Sequence, residues 1–464
     1  MNIKFGTDGW RAIIGKDYTV ENVMRVTLAV AEWLKENQKV DHPTVIVGHD
    51  CRFGGPLFVD AVAKTLAHKG INVIKASKVI STPIISYTTK LYKADLGIVI
   101  TASHNPPEYN GYKLKTSYGG PLTEEYITEI EGFIPNQSNL NVDTVQYDET
   151  FINVIDLEQD YIKYIYENFD IEAIKNAPFE WAYDAMYGSG QSVMRQLFPD
   201  ITFLHCDYNP GFDGQAPEPI HKNLIELSEM IILSENIDCA FATDGDADRI
   251  GLYNAQGKFI DAHHIMLLLI HYLVHYKGLT GKVITTFSAS SRISKICDYY
   301  NLDYEIVKIG FKYIAPILLE SNGLLGGEES GGIAVKGHIP ERDGIWCGLL
   351  IWEFMAKTGK SLQTIINEVY AIVGSFAYDR LDLHITEEQK KDVITACEKG
   401  FENIGTFKVI DTQTIDGYKF FTTNTSWIMV RTSGTEPVLR IYAEGDNIEE
   451  VATLLKTMQN ILNL

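Results

Sequence analysis

Three stretches of the chain share one order of hydrophobic and polar positions: an apolar run rich in β-branched residues, a short polar loop and an amphipathic helical period. They begin at residues 44–55, 179–190 and 282–291. The first stretch continues into a second apolar run at 71–76, which is the strand, helix, strand order of an α/β unit. The pattern therefore predicts three related α/β domains.

After about residue 371 the pattern changes. Candidate strands at 375–383, 418–421, 426–430 and 439–443 accompany a helical period at 387–402 and a second one at the end of the chain. These elements predict a smaller α+β domain. A polar, Asn-rich linker is expected at 135–149 and a second boundary near 254–257. The expected domains are 1–140, 150–255, 256–370 and 371–464.

Composition narrows the choice of partners. The 464 residues carry 40 Lys and Arg against 61 Asp and Glu, a formal net charge of −21. Such a surface repels nucleic acid and anionic lipid, so neither is an expected partner. The six cysteines are scattered, and the apolar runs are too short to span a bilayer. The start of the chain lacks the pattern of a signal peptide. We expect a soluble cytoplasmic protein, with an oligomeric state that these features do not determine.

A cluster of carboxylates follows the apolar run at 239–242. Asp244, Asp246 and Asp248 stand at alternate positions in the sequence DGDADR. Three close carboxylates repel one another unless a cation lies between them, which favours a hard divalent ion with oxygen ligands. A calcium EF-hand is excluded, because Arg249 and Ala255 stand where that loop needs Gly and Glu. An acidic solvated turn is the alternative, and Arg249 points to an anionic ligand nearby.

Ser103 is placed in a sharp loop by the sequence LGIVITASHNPP. The run at 96–100 predicts a buried strand, and Pro106 and Pro107 block both a helix and a continued ladder. Ser103 therefore lies at a strand end. The loop lacks the G-x-S-x-G pattern of acyl hydrolases. A serine that carries phosphate needs a metal and cations around it, and the alternative is an ordinary turn.

Two further motifs favour a sugar phosphate. In GLLGGEESGG, Glu328 and Ser330 lie among glycines that let the backbone approach a ligand closely, which suits a polyhydroxylated molecule. In RTSGTEP, a phosphate nest is predicted from a set of side chains and backbone N–H groups. Its members are Arg431, Ser433, Gly434 and Thr435.

Four motifs resemble those of the α-D-phosphohexomutases in order and spacing, over essentially the whole chain: TASHNP, DGDADR, GEESGG and RTSGTEP. In addition, FGTDGWR at 5–11 is similar to the N-terminal signature of that family. The resemblance implies three α/β domains and a smaller C-terminal domain around a central cleft. The catalytic residues that it implies are Ser103 as a phosphoserine, Lys113 as general acid/base, and Arg11, Arg249 and His104. The metal ligands that it implies for Mg²⁺ are Asp244, Asp246, Asp248 and a phosphate oxygen on Ser103. The substrate-binding residues that it implies are Glu328, Ser330, Lys308, His338, Arg431, Ser433, Gly434 and Thr435.

The activity implied is interconversion of hexose 1-phosphate and hexose 6-phosphate through glucose 1,6-bisphosphate or its analogue, with hexose phosphates as small-molecule partners. Glucose is favoured over mannose, because His338 resembles the glucomutase pattern and GEESGG lacks the Met and final His of bifunctional enzymes. Phosphoglucosamine mutases typically have Gln and His where this chain has Glu329 and Gly332, which argues against that substrate. The remaining alternatives are that enzyme, a glucose-1,6-bisphosphate synthase, a Mg²⁺-dependent phosphatase and a non-catalytic sugar-phosphate sensor. An intact Ser103 and three aspartates argue against the sensor.

Overall fold

The structure, a computed structural model, describes residues 3–37, 40–432 and 438–464. Within these ranges the strands form four main sheets and one two-stranded ribbon. Short 3-10 turns lie at Glu149–Phe151, Phe212–Gly214 and His221–Asn223, and a π-helical turn at Tyr272–Tyr276 extends a helix.

The first sheet is mixed and is covered by helices on both faces. Its strands are β1 (Trp10–Ile13), β2 (Thr44–His49), β3 (Asn72–Ala76), β4 (Leu96–Ile100), β5 (Tyr109–Thr116) and β6 (Ile152–Ile155). Its helices are α1 (Val20–Asn37), α2 (Gly55–His68), α3 (Thr82–Leu91) and α4 (Glu124–Phe133). Alternate residues of β2 point to opposite faces. Val45 and Val47 pack in the cluster formed with α1 and α2, whereas Ile46 packs with Ile84 of α3.

The second sheet follows the same plan. Its strands are β7 (Trp181–Asp184), β8 (Thr202–Leu204), β9 (Cys239–Thr243), β10 (Ile250–Asn254) and β11 (Phe259–Ile260). The helices of this region are α5 (Leu157–Asn168), α6 (Ile171–Lys175), α7 (Gln191–Leu197) and α8 (Ile225–Ser234).

The third sheet has four strands. They are β12 (Val283–Thr286), β13 (Tyr304–Val307), β14 (Leu325–Gly327) and β15 (Ile333–Val335). The helices of this region are α9 (Ala262–His271), α10 (Arg292–Tyr300), α11 (Phe311–Glu320), α12 (Gly344–Thr358) and α13 (Leu362–Val373).

The three α/β sheets share one topology. Each contains four strands in the order second, first, third, fourth along the sheet: β3-β2-β4-β5, β8-β7-β9-β10 and β13-β12-β14-β15. In each, the first three strands are parallel and the fourth is antiparallel to the third. The expectation of three related α/β domains is confirmed, and the relation extends to strand order.

The fourth sheet is antiparallel, as the changed pattern after residue 371 indicates. Its strands are β16 (Ala377–His384), β19 (Asp411–Gln413), β20 (Tyr418–Phe421), β21 (Trp427–Thr432) and β22 (Val438–Gly445), and β17 (Asn403–Ile404) pairs with β18 (Phe407–Lys408) in the ribbon. Its helices are α14 (Glu387–Lys399) and α15 (Ile448–Ile461). Thr386 and Gln389 form a capping box that starts α14. The prediction of three α/β domains with a smaller α+β domain is confirmed.

Two strands lie beyond the expected positions. β6 lies in the range 150–255 expected for the second domain, yet it pairs in parallel with β3 of the first sheet. β11 lies in the range 256–370, yet it forms a hairpin with β10. Residues 255–258 are therefore the turn of this hairpin. Both strands are short edge strands, whose sequence does not reveal the sheet that they join.

Among the residues that the structure describes, no helix is both long enough and apolar enough to cross a bilayer.

Candidate active site

Three of the motifs occupy equivalent places in the three α/β sheets. Each is the connection from the third strand to the antiparallel fourth: residues 101–108 between β4 and β5, 244–249 between β9 and β10, and 328–332 between β14 and β15. Ligand sites in α/β sheets form at the carboxyl ends of the parallel strands. The repeated topology therefore brings one chemical motif from each sheet to the same kind of position.

Ser103 is buried at a strained point of its loop. Its φ of 53° lies in the left-handed region, and its side chain is fully buried. The Ser103 hydroxyl donates to Asp244 Oδ2 at 2.6 Å, across to the second sheet. The two loops approach closely at Gly245, where a Cβ would lie 2.5 Å from the Ser103 carbonyl oxygen. Ser103 and the carboxylate cluster thus form one site.

Arg52 binds the backbone of the loop at 101–108, the serine loop. This residue is fully buried, and its guanidinium donates to backbone carbonyls of the loop. The acceptors are the carbonyls of Ser103 at 2.7 Å, Asn105 at 2.5 Å, Pro106 at 2.8 Å and Tyr109 at 3.0 Å. Four bonds from one planar cation fix the backbone around the strained serine.

The three aspartates are completely buried. Burial raises the pKa of Asp244 well above its usual value, and the charges of Asp246 and Asp248 raise it further. Burial alone would also raise the pKa of Asp246, but Lys113 beside it holds that pKa below the usual range. Asp244 Oδ1 accepts the backbone N–H groups of residues 248 and 249, which closes the loop on itself.

These residues fit a divalent metal ion. Each aspartate offers an oxygen, and the three oxygens lie within 4.8 Å of one another. Oδ1 of Asp246 and Oδ1 of Asp248 are buried, and neither has a hydrogen-bond partner among the residues that the structure describes. Buried unpaired carboxylate oxygens are costly, and a hard cation with oxygen ligands removes that cost.

Two cations, Lys113 of β5 and Arg342, neutralise the cluster from the other sheets. Lys113 Nζ lies 2.8 Å from Asp246, 2.9 Å from Asp248 and 2.8 Å from Asp8. Burial lowers the pKa of Lys113, but these carboxylates outweigh burial and raise it above its usual value. Arg342 Nη2 lies 2.8 Å from both Asp8 and Asp248.

Further predicted residues border the serine. Arg11 donates to Asn105 Oδ1 at 2.6 Å, in the serine loop. Arg249 Nη1 lies 3.8 Å from Glu218, and its buried Nε has no hydrogen-bond partner within the described part of the chain. Burial, together with Arg249 and Arg11, lowers the pKa of His104 well below its usual value. His104 is therefore neutral at pH 7, and its Nδ1 lies 3.4 Å from Ser103 Oγ.

The loop at 328–332, called the sugar loop after its expected ligand, and the aspartate loop at 244–249 are linked by Arg342. Burial raises the pKa of Glu328 to about 7, although Arg342 opposes the shift, with Nη1 at 3.8 Å from Glu328 Oε2. Ser330 is partly exposed in the same turn. A Cβ at Gly332 would lie 2.4 Å from Arg342 Cδ. Arg342 therefore occupies the space that a side chain at position 332 would need.

His338, an expected substrate contact, has its side chain packed against Asp343 and aromatic rings. Its side chain is 1% exposed, and its Nε2 lies 2.9 Å from Asp343 Oδ2. Its ring stacks on Trp346 at 3.9 Å and on Tyr164 at 5.6 Å. His338 thus supports the start of α12, a packing arrangement that its motif did not reveal.

The remaining predicted residues lie toward the fourth sheet. Lys308 is exposed between β13 and α11. Arg431 is the penultimate residue of β21, and its Nε lies 3.2 Å from Asp416 Oδ1. Burial lowers the pKa of Arg431, but Asp416 outweighs burial and raises it. The other predicted members of the phosphate nest, Ser433, Gly434 and Thr435, lie outside the described residues.

Sequence reasoning missed four residues of the site: Asp8, Arg52, Thr82 and Arg342. Thr82 begins α3 and donates to Asp246 Oδ2. Asp8 stands in a Gly-flanked turn next to Arg11, and Arg342 stands between two acidic residues in GHIPERDG. These flanking residues are the available signals, but they do not identify partners in another sheet.

The chain matches family models over most of its length. The models described as "Phosphoglucomutase/phosphomannomutase, alpha/beta/alpha domain" I, II and III match residues 2–141, 159–257 and 261–373, and the C-terminal domain model matches 384–461. A phosphoglucomutase/phosphomannomutase of Thermococcus kodakarensis is 31% identical over 464 residues, with 98% of this chain and 97% of the relative covered. The chain belongs to this family. The resemblance to α-D-phosphohexomutases is confirmed.

Other members are similar over their whole length. A phosphoglucosamine mutase of Methanocaldococcus jannaschii is 30% identical, with 98% of this chain and 97% of the relative covered. A solved structure described as a putative phosphomannomutase from Thermus thermophilus has a TM-score of 0.88 at 30% identity and covers 100% of both chains. An N-acetylphosphoglucosamine mutase of Aspergillus fumigatus, solved with GlcNAc-6P and magnesium, shows the shared fold with a TM-score of 0.62 at 15% identity, covering 100% of this chain and 96% of that one. Membership of the phosphohexomutase family implies an isomerase.

Proposed function

We propose that this chain interconverts hexose 1-phosphate and hexose 6-phosphate, with glucose preferred, by phosphoryl transfer to and from Ser103 Oγ. The observation that carries the proposal is the contact of the buried Ser103 hydroxyl with Asp244, beside the three-aspartate cluster and Lys113. A phosphate on this hydroxyl would lie beside Lys113 and beside a cation held by the three aspartates, and these positive charges would balance its own.

The chain's own groups account for the transfer. The P–O bond to Ser103 Oγ breaks as the bond to the hexose oxygen forms, and Lys113 relays the hexose hydroxyl proton to Ser103 Oγ. Lys113 is protonated in the arrangement described, so it enters as the acid. Arg11 and Arg249 supply positive charge to the phosphoryl oxygens. A Mg²⁺ ion held by Asp244, Asp246 and Asp248 would add charge at the same oxygens.

Glu328 and Ser330 are proposed to hold the adjacent hydroxyls O3 and O4 of the sugar. Glu328 is buried, so an unmatched hydroxyl position would leave a polar group unpaired. A sugar with an axial O4 is then rejected strongly, whereas C2 is discriminated only modestly. Glucose 1-phosphate is expected to be the best substrate, mannose 1-phosphate slower and galactose 1-phosphate nearly inert.

A panel of hexose 1-phosphates with Mg²⁺ and trace glucose 1,6-bisphosphate tests the proposal. We expect formation of 6-phosphates, a phosphate on Ser103 in intact-mass analysis and loss of most activity in Ser103→Ala with folding retained. Active enzyme without phosphate on Ser103, or equal turnover of galactose 1-phosphate, would contradict it. Accumulation of free bisphosphate from an acyl phosphate donor would identify a bisphosphate synthase, and net release of inorganic phosphate would identify a phosphatase.

Glucosamine phosphate is the second candidate substrate. The relative from Methanocaldococcus jannaschii is a phosphoglucosamine mutase. Glu329 stands where those enzymes typically have Gln, but it gives the same loop a second carboxylate, whose charge contributes to the raised pKa of Glu328. An acidic neighbourhood suits the ammonium group of an amino sugar. Including glucosamine 1-phosphate in the panel decides between the two, because a kcat/KM above that of glucose 1-phosphate would favour this alternative.

A further inference from the structure

Asp416 joins the fourth sheet to the third. It lies in the turn between β19 and β20, and none of the sequence motifs contains it. Its Oδ1 accepts from Arg431 Nε at 3.2 Å, within the fourth domain. Its Oδ2 accepts the backbone N–H of Ile309 at 2.9 Å, from the segment that follows β13. One carboxylate therefore contacts an arginine and a second domain at the same time.

The turn that contains Asp416 packs closely against the backbone of β21 at Arg431. The next residue, Gly417, has a φ of 103°. A Cβ there would lie 2.7 Å from the Val430 carbonyl oxygen and 3.2 Å from Arg431 Cβ. Only glycine fits this approach. The backbone thereby fixes the position of the Asp416 carboxylate relative to the arginine.

The other end of the contact is also constrained. Ile309 packs against the apolar cluster that contains Trp427 of β21 and Phe287. Gly310 has a φ of 133°, and a Cβ there would lie 2.8 Å from Thr7 Cγ2 of the first domain. The segment 308–310, which begins with Lys308, is thus held between the first domain and Asp416.

We propose that Asp416 is a positioning residue that orients Arg431 and sets the fourth domain against the Lys308 segment, so that both cations converge on the phosphate that does not react. This inference rests on the proposed function. Asp416 engages Nε of Arg431, which leaves the pair of terminal nitrogens outside this contact. That pair is the part of a guanidinium that binds a phosphate in bidentate fashion.

Two substitutions separate the parts of this role. Asp416→Asn keeps an oxygen for the Ile309 N–H but removes the charge beside Arg431, whereas Asp416→Ala removes both. We expect the Kd of glucose 1-phosphate, measured by calorimetry on the folded protein, to rise about tenfold in Asp416→Ala, or about 1.4 kcal/mol, and less in Asp416→Asn. Asp411 is an exposed residue at the far end of the same hairpin. The substitution Asp411→Ala is the matched control and should leave the Kd unchanged.

A double variant shows whether Asp416 acts through Arg431. In Arg431→Gln, the further change Asp416→Asn, which keeps an oxygen for the Ile309 N–H, should weaken binding less than about twofold, because the arginine that the charge orients is already gone. A merely structural role would instead add its full effect in the double variant, and that result would overturn the inference. Wild-type affinity in Asp416→Ala would overturn it as well. If the wild type binds glucose 1-phosphate but does not turn it over, the proposed function falls, while the affinity ratios still decide the role of Asp416.

Discussion

Replacing Arg52 by lysine tests whether the guanidinium beneath the serine loop creates the reactive geometry. Arg52 presents four described hydrogen bonds to backbone carbonyls, and its Nε lies 3.4 Å from Asp50. Burial raises the pKa of Asp50 to about 6, although Arg52 opposes the shift. Lysine keeps the positive charge but offers three donors on one nitrogen and no planar fork.

The expected magnitude follows from the donor count. With three donors at most, lysine leaves at least one of the four carbonyls without this partner, and where that carbonyl is the buried one of Ser103 the loss costs about 1–3 kcal/mol. Ser103 also holds a left-handed φ of 53°, and strain of that kind costs about 1–3 kcal/mol where the surroundings do not enforce it. Because about 1.4 kcal/mol is a factor of ten, the loop should open about 10 to 100 times more often in Arg52→Lys.

Hydrogen exchange followed by mass spectrometry measures this opening directly. Peptides covering 101–109 should exchange about 10 to 100 times faster in Arg52→Lys, and kcat/KM should fall at least about tenfold, since the loop positions the nucleophile. Arg195→Lys is the control, because Arg195 donates to a single carbonyl, that of Cys206 at 3.3 Å, in the second sheet region. Unchanged exchange at 101–109 together with wild-type kcat/KM would refute the reasoning.

Three further predictions address the metal cluster, the sugar loop and its titration. Exhaustive chelation should abolish activity and Asp246→Asn should weaken Mg²⁺ affinity in calorimetry; full activity after chelation would contradict the metal role. Gly332→Ala should displace Arg342 and lower kcat/KM about tenfold or more with little loss of folding, measured by kinetics and circular dichroism. Because burial raises the pKa of Glu328 from 4.5 to about 7 in the folded protein, the stability that this group contributes is complete below about pH 4.5 and is lost as pH rises through about 7. Glu328→Gln should therefore raise Tm relative to wild type at pH 8, with no such gain at pH 4, and equal differences at both would contradict the shift.

The elements that carry the chemistry were predictable from local pattern. A run of five apolar residues after polar sequence predicts a buried strand, and β4 is Leu96–Ile100 as the run indicates. The strand at 418–421 coincides with β20. The aspartates at alternate positions of DGDADR do lie together, because residues so close in sequence share one turn. Ser103 was likewise expected at a strand end, since Pro106 and Pro107 block regular structure after it.

Pairings between distant parts of the chain were not predictable. Hydrophobic period gives a strand its faces but does not name its neighbour, so the short strands β6 and β11 were not assigned to the first and second sheets. For the same reason the motif around His338 did not reveal that its ring stacks on both Tyr164 and Trp346, which also contact each other. Trp346 lies in α12 of the same domain, but Tyr164 lies in α5 of the second, so this packing depends on how the two domains meet.

The sequence by itself determined the fold class, the family resemblance, the serine and the three aspartates, because each rests on residues that are neighbours in the chain. Only the tertiary structure decided which groups surround them. Lys113 lies in β5, Asp8 precedes β1 and Arg342 follows β15, so these three come from distant parts of the chain, yet they meet at Asp246 and Asp248. Those contacts depend on how the domains pack against one another, and a local pattern of apolar and polar residues does not predict that packing.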